Sequence, residues 1–407
     1  MQSKLKHYYE PYITQFLMIL LAIPIGAIIG FADTIFGRTL LAISEFRDKH
    51  FFPLILFLSL AGVLIVYCYN KFGDKASKGM GLIFEVEQGE ENNIPLRLVP
   101  FVIVSTWITH LFGGSAGREG VAVQIGATIS YNISKYIKIK DFSKVFLVVG
   151  MSAGFAGLFR TPIAAVFFAI EVLVAGELRY KALLPAITSA IVSSEFSKFL
   201  GLEKFSFNLS NSIDLNFENI IKLALLGVIF GIVGLIFSSL LKHMKKILAD
   251  KIPNNIIRIF IAAIILTISL LAIRYGRYSG LGTNLINLSF SGDKIYISDF
   301  LLKLIFTVIT LSAGFQGGEV TPLFSIGASL GAVLAGLIGL PVPFVSALGY
   351  VAVFGSATNT LLAPIFIGAE VFGYSYMPYF VIVCSIAYTF NMNSSIYGKQ
   401  KINQFIK

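Results

Sequence analysis

Charged side chains are scarce in this sequence. Asp, Glu, Lys and Arg make up 13% of its 407 residues, where a soluble domain carries roughly 25%. With 56% hydrophobic residues, that scarcity excludes a cytosolic globular enzyme and a disordered chain. Cysteine is almost missing. Cys68 and Cys384 both lie inside apolar runs, so a disulfide framework is excluded by count and two inert buried thiols are expected. No CxxC pair and no zinc-ligand spacing occurs, so neither a metal nor a cofactor is expected. The four histidines, His7, His50, His110 and His243, are scattered. His110 sits in an apolar run and reads as a satisfied core histidine. No Ser/His, Asp/Asp or HExxH constellation supports an intramembrane enzyme. Long polar stretches are lacking too. No soluble domain of any size is expected, and about sixteen residues follow the last apolar run.

Apolar runs fill the rest, near 11–31, 51–69, 97–112, 120–134, 145–175, 181–197, 219–241, 256–273, 300–312, 322–340, 343–356, 360–371 and 376–391. They predict a polytopic, all-α membrane protein in a lipid bilayer. The first run reads as a membrane span rather than a cleaved signal. Several runs hold only ten to fourteen residues, and a helix needs about twenty to cross the hydrocarbon core. Short runs joined by glycine predict helices that stop partway. Such breaks are tolerated only where the backbone lines a cavity or is covered by protein, which is a transporter feature. The net charge of +10 reads as topology signals in loops and tails, not as a nucleic-acid surface.

The chain repeats itself. GREGVAVQIGATIS at 117–130 resembles GGEVTPLFSIGASLG at 317–331, with one extra residue in the second copy. TPIAAVFFAIEV at 161–172 resembles TLLAPIFIGAEV at 360–371 at an offset of 199, so Glu171 falls on Glu370, Phe167 on Phe366 and Thr161 on Thr360. Two similarities in one order indicate a duplicated unit, with halves of about 1–205 and 206–407 in a single transmembrane domain. Lys135, Lys138, Lys140 and Lys144 follow the helix after Glu119, and no Lys or Arg follows the helix after Glu319 in GLPVPF. By the positive-inside rule the related helices point in opposite directions, an inverted repeat, with both basic termini cytoplasmic.

Four breaks stand out: KGMGL at 78–82, GGSAGREG at 113–120, GFQGGEVTP at 314–322 and SSIYGKQ at 394–400. Helices starting after the first three would aim their N-termini at the breaks. A helix N-terminus offers free N–H groups and about half a positive charge, so several converging ends make an anion site without a buried full cation. Glu119 is the sharpest residue. Its carboxylate occupies the place of a small anion, and once protonated it loses that attraction and swings away, so one side chain serves as gate and proton carrier. Glu319 is a second acid beside Thr321 and Pro322. For Glu119 the plainer alternative is a structural helix cap paired with Arg118, and for Glu319 a structural carboxylate satisfied by the backbone of the preceding glycine pair. Glu171 and Glu370 read as structural, and Trp107 as packing.

At these motifs the sequence resembles the CLC family of chloride channels and proton-coupled anion antiporters, over nearly its whole transmembrane region. GREG matches the start of the family's GK/REGP motif, which puts Glu119 at the gating glutamate, next to Gly117 and Arg118. GEVTP matches GxFxP, GMGLI matches GSGIP, and Tyr397 matches the tyrosine that coordinates the central anion. The departures are Met80 for the central serine, Val320 for the phenylalanine, Gly120-Val121 in the REGP context and Val172 for the internal proton glutamate. This set is similar to the bacterial CLC-type fluoride/proton antiporters. The resemblance implies a CLC-type inverted repeat of broken and tilted helices, a cell-membrane homodimer with one pathway per subunit, and no CBS domains. It implies an anion site of Met80, Gly81, Gly117, Arg118, Val320, Thr321 and Tyr397. Glu119 transfers the proton and Glu319 couples it to fluoride. A chloride-selective antiporter or channel on the same scaffold is the alternative. Fluoride is strongly hydrated, so stripping its water calls for strong, close donors. Backbone N–H groups, the hydroxyls of Thr321 and Tyr397, and a protonated Glu319 supply them.

Overall fold

The computed structural model describes residues 2–137, 142–210 and 213–403, with the backbone alone for 2–11. Lys138 and Lys140, used above for orientation, lie outside the described residues. Helices dominate. The first half holds α1 (Gln2–Lys49), α2 (Phe51–Ile55), α3 (Leu58–Cys68), α4 (Met80–Gln88), α5 (Leu98–Leu111), α6 (Glu119–Ser134), α7 (Phe142–Phe159), α8 (Pro162–Glu171) and α9 (Leu183–Phe199). The second holds α10 (Phe217–Lys251), α11 (Asn255–Ala272), α12 (Thr283–Ser291), α13 (Asp299–Ala313), α14 (Val320–Ile338), α15 (Val342–Thr358), α16 (Leu362–Phe372) and α17 (Met377–Thr389). Among the described residues the only sheet is a parallel pair, β1 (Val174–Ala175) with β2 (Lys401–Ile402).

Among the described residues five helices, α1, α7, α10, α11 and α14, are long and apolar enough to cross a membrane. Others are too short. The ten residues of α8 span about 15 Å, half the hydrocarbon core. The apolar run expected as one segment at 145–175 is two helices, because Arg160 takes a positive φ of 58° and Pro162 starts α8. The nine-residue α12 has no counterpart among the predicted runs, since its polar residues Thr283, Asn284 and Asn287 hide its apolar face.

The halves repeat the same packing. α6 packs on α7 as α14 packs on α15, α7 on α9 as α15 on α17, and α1 on α9 as α10 on α17. Small residues permit the closest pairs. Gly126 faces Gly150 between α6 and α7, and Gly327 faces Gly349 between α14 and α15. The sense is inverted. Beyond α6, Lys135 bonds Asn93, close after Glu91, which pairs with Lys75 and Lys78. Beyond α14, Phe344 lies tilted against Tyr376, whose hydroxyl donates to the Leu209 carbonyl. The 35-residue α10 runs about 50 Å between these two faces.

α8 and α16 lie across the repeat axis. Phe167 stacks on Phe366, centroids 4.4 Å apart and rings 5° from parallel. The carboxylate closing each helix caps the start of the other. Glu171 accepts from the N–H groups of Leu361, Leu362 and Ala363, and Glu370 from those of Ile163 and Ala164. Both glutamates have structural partners, as their position suggested, but the partner is the opposite half rather than their own helix. Glu171→Ala leaves amides unpaired that the carboxyl group had satisfied, at about 2 kcal/mol. Thermal unfolding in detergent is expected to show that loss, with a smaller one for Glu370→Ala.

Candidate functional site

The second and third glycine breaks of the sequence meet in space. Gly117 and Gly318 form an antiparallel bridge, N–H to carbonyl in both directions at 2.6 and 2.8 Å. A Cβ on Gly117 would lie 2.7 Å from Pro322 Cδ and 2.9 Å from the Gly318 carbonyl oxygen, so only glycine allows this approach. The bridge sets the N-termini of α6 and α14 side by side. Gly79, at a φ of 52°, starts α4.

Glu119 is fully buried. Its Oε2 accepts from the Thr321 N–H at 3.1 Å, from the Thr321 hydroxyl, and from the Arg118 N–H at 3.3 Å. The carboxylate thus sits on the first turn of α14, in the other half of the chain, and not merely at the start of its own helix. Oε1 makes no hydrogen bond. Arg118 Nε stands 3.6 Å from it, too far for a hydrogen bond, on a side chain only 11% exposed. The expectation of an anion site without a buried cation is therefore corrected. The N-cap residue of α6 folds its guanidinium back over the carboxylate, and Arg118 Nε and Nη1 find no other partner.

Glu319 is half-buried at the N-cap of α14 and borders a cavity of about 450 Å³. Met80, Gly81 and Tyr397 line the same cavity, with Gly120 and Gln124 beside them. Tyr397 is buried, its ring stacks on Phe84 at 5.4 Å, and its hydroxyl has no hydrogen-bond partner. Gly117, Arg118, Glu119, Val320 and Thr321 are not in this wall. The predicted residues thus divide into a closed seat around Glu119 and an open chamber around Glu319 and Tyr397. Gly120 joins the two, since a Cβ there would lie 3.7 Å from a Glu319 carboxylate oxygen. Val320 packs in the core through its side chain, and Val172 is buried.

Lys78, Lys242, Lys245 and Lys399 surround the chamber on one face of the molecule. Sequence reasoning missed several polar groups. Gln124, one turn beyond Gly120, points its free Oε1 toward Gly79. Lys303 is fully buried in α13 and donates to Ser115 Oγ and to the carbonyls of Tyr278 and Gly280, bracing the loop before Glu119. A lysine inside the apolar run 300–312 was a legible signal for it. Trp107 packs as expected, its indole donating to the Phe36 carbonyl. His110 is buried but only half-satisfied, with Nε2 3.4 Å from the Gly117 carbonyl and Nδ1 unpaired. Cys384 is buried, whereas Cys68 is only half-buried, at the end of α3 beside an apolar groove. Among the described residues no cluster of metal-ligating side chains exists.

Gly117→Ala forces a methyl into Pro322 and the Gly318 carbonyl. We expect a destabilisation of about 1–3 kcal/mol, read as a lowered melting temperature, together with loss of ion flux.

The chain is similar to proteins of known class. A family model described as voltage gated chloride channel matches residues 61–392. A chloride/fluoride channel protein of Pseudomonas syringae pv. tomato is 33% identical over 400 residues, covering 96% of this chain and 87% of the relative. An H(+)/Cl(-) exchange transporter of Vibrio campbellii is 25% identical over 346 residues, 78% of this chain and 72% of the relative. The crystal structure of a CLC-type fluoride/proton antiporter superposes with a TM-score of 0.95 at 54% identity, covering 96% of this chain and 99% of that one. A slow cyanobacterial Cl-/H+ antiporter shares the fold at a TM-score of 0.79 and 19% identity. With its paired half-helices, its inverted repeat and a family match over most of its length, this chain is a polytopic membrane transporter of the CLC family.

Proposed function

We propose that the protein is a fluoride/proton antiporter that works by secondary active transport, exporting fluoride in exchange for a proton. One observation carries the reading: a fully buried carboxylate, Glu119, held by the N-terminal amide and hydroxyl of Thr321 where a small anion would be bound. Fluoride and a carboxylate oxygen make the same demand, close N–H and O–H donors in a dry site. The 54% identical fluoride/proton antiporter structure supports fluoride as the ion. So does Met80, which offers the incoming anion no hydroxyl at the start of α4.

The cycle follows from the seat. Ionised Glu119 fills it. Protonation removes the charge that the helix end attracts, so the side chain leaves and fluoride takes its place. Glu319, in the chamber wall with Tyr397, donates to fluoride when protonated and passes the proton on, while the unpaired Tyr397 hydroxyl receives the anion first. With the lysine-rich face cytoplasmic, fluoride enters through the chamber, and both termini lie on the cytoplasmic side of the cell membrane. Each exchange moves charge, so a membrane potential negative inside assists it by about 2.3 kcal/mol per charge per 100 mV. Two such chains assemble as a homodimer with one pathway each. The duplicated halves divide near 205–206, within a stretch whose described residues between 200 and 217 form no helix.

Proteoliposomes loaded with fluoride or chloride, with pH and anion efflux recorded together, test this. Fluoride efflux is expected to draw protons in, and chloride is expected to compete poorly. Equal use of chloride favours a chloride-selective transporter on the same scaffold. Glu119→Gln is expected to abolish proton uptake driven by a fluoride gradient, and unaltered uptake contradicts the assignment. Glu319→Gln is expected to reduce proton-coupled fluoride transport, and full activity removes Glu319 from the mechanism.

A further inference from the structure

Glu85 belongs to none of the groups described so far. It lies in α4, one turn beyond Met80, with its side chain only 10% exposed. Its two oxygens bind two lysines from different parts of the chain. Oε2 takes Lys78, just before α4, at 2.8 Å, and Oε1 takes Lys399, in the C-terminal tail, at 2.9 Å. One turn on, Gln88 donates to the Lys399 carbonyl at 2.7 Å. Between these contacts and the chamber, Phe84 stacks on Tyr397.

The other side of the tail is already fixed. Its backbone pairs with Val174–Ala175, and Gln400 donates to the carbonyls of Val172 and Thr358. On its inner face α4 packs Leu82, Ile83, Phe84 and Val86 into the core, and Glu87 pairs with Arg179 at 2.8 Å. It is a short helix that starts at a glycine with positive φ, and its polar links to the tail run through Glu85 and Gln88. An exposed ion pair contributes little. Here one carboxylate holds two lysines at once, each about half-exposed, so the clasp acts by joining two chain segments more than by the strength of either pair.

We propose that Glu85 is a positioning residue that clasps α4 to the C-terminal tail and thereby sets the gap between Met80 and Tyr397 through which fluoride enters. The inference rests on the antiport reading for the identity of the ion. Lys78 has a second partner in Glu91 at 2.9 Å, so it keeps its place when Glu85 is removed. Lys399 has only the longer contact to Glu90 at 3.5 Å. The pair that matters is therefore Glu85 with Lys399.

The test is fluoride efflux from proteoliposomes over a range of fluoride concentrations, with the full chain carrying Glu85→Ala, Glu85→Gln, Lys399→Ala, or Glu85→Ala with Lys399→Ala. Each single variant is expected to raise KM about fivefold with kcat kept. The double variant is expected to be no worse than either single one. Gln88→Ala, which leaves every charge in place, is expected to raise KM less. An unchanged KM in Glu85→Gln, which keeps the side chain's shape and folds if Glu85→Ala does not, overturns the proposal. So does a fall in kcat with KM intact, or losses that multiply in the double variant. Wild-type protein that moves fluoride without protons overturns the antiport reading but leaves this test standing, because KM is read from anion flux alone.

Discussion

An acidic side chain buried in a membrane interior needs partners to replace its water. At Glu119 the replacement is the first turn of α14, with one amide and one hydroxyl of Thr321 on a single oxygen and the Arg118 amide beside them. The rest of the architecture serves that contact. Two half-helices from different halves must end at one point, the loops before them must nearly touch, and nothing larger than glycine fits where they do. The Gly117–Gly318 bridge meets all three conditions.

The same device recurs with a different outcome. Glu171 on α16 and Glu370 on α8 are carboxylates of one half set on the N-terminus of a helix from the other. Each uses both oxygens on neighbouring amides, so leaving would strand several donors at once. Glu119 uses one oxygen and leaves the other without a hydrogen bond, near Arg118. Three similar caps thus divide by how the carboxylate is used: Glu171 and Glu370 spend both oxygens on main-chain amides of the opposite half, whereas Glu119 gathers its donors on one oxygen. This asymmetry, more than burial, distinguishes Glu119 from Glu171 and Glu370.

The chamber is asymmetric in a way the repeat is not. It opens on the lysine-rich face and closes at Gly120, Glu319 and Tyr397, short of the Glu119 seat. Its lysines are not equivalent. Glu85 and Glu91 bind Lys78, and Glu85 and Glu90 bind Lys399, whereas Lys242 and Lys245 have no ion-pair partner among the described residues. The positive field at the mouth comes mainly from α10, and the α4 side acts as a fastening.

Much of this was legible in the amino-acid sequence, because its causes are local. Glycine breaks, short apolar runs and an offset of 199 between matching motifs expose half-helices and duplication, since backbone freedom and helix length depend on nearby residues alone. A carboxylate placed at a helix start pointed to Glu119 for the same reason. What the chain order could not disclose was the pairing. Thr321 as the seat of Glu119, the exchanged caps of α8 and α16, Arg118 folded over the seat and Lys303 bracing a remote loop all join residues with no neighbourhood in sequence. Buried polar groups must find partners wherever the packed backbone brings them, and only the closed three-dimensional arrangement selects which ones they meet.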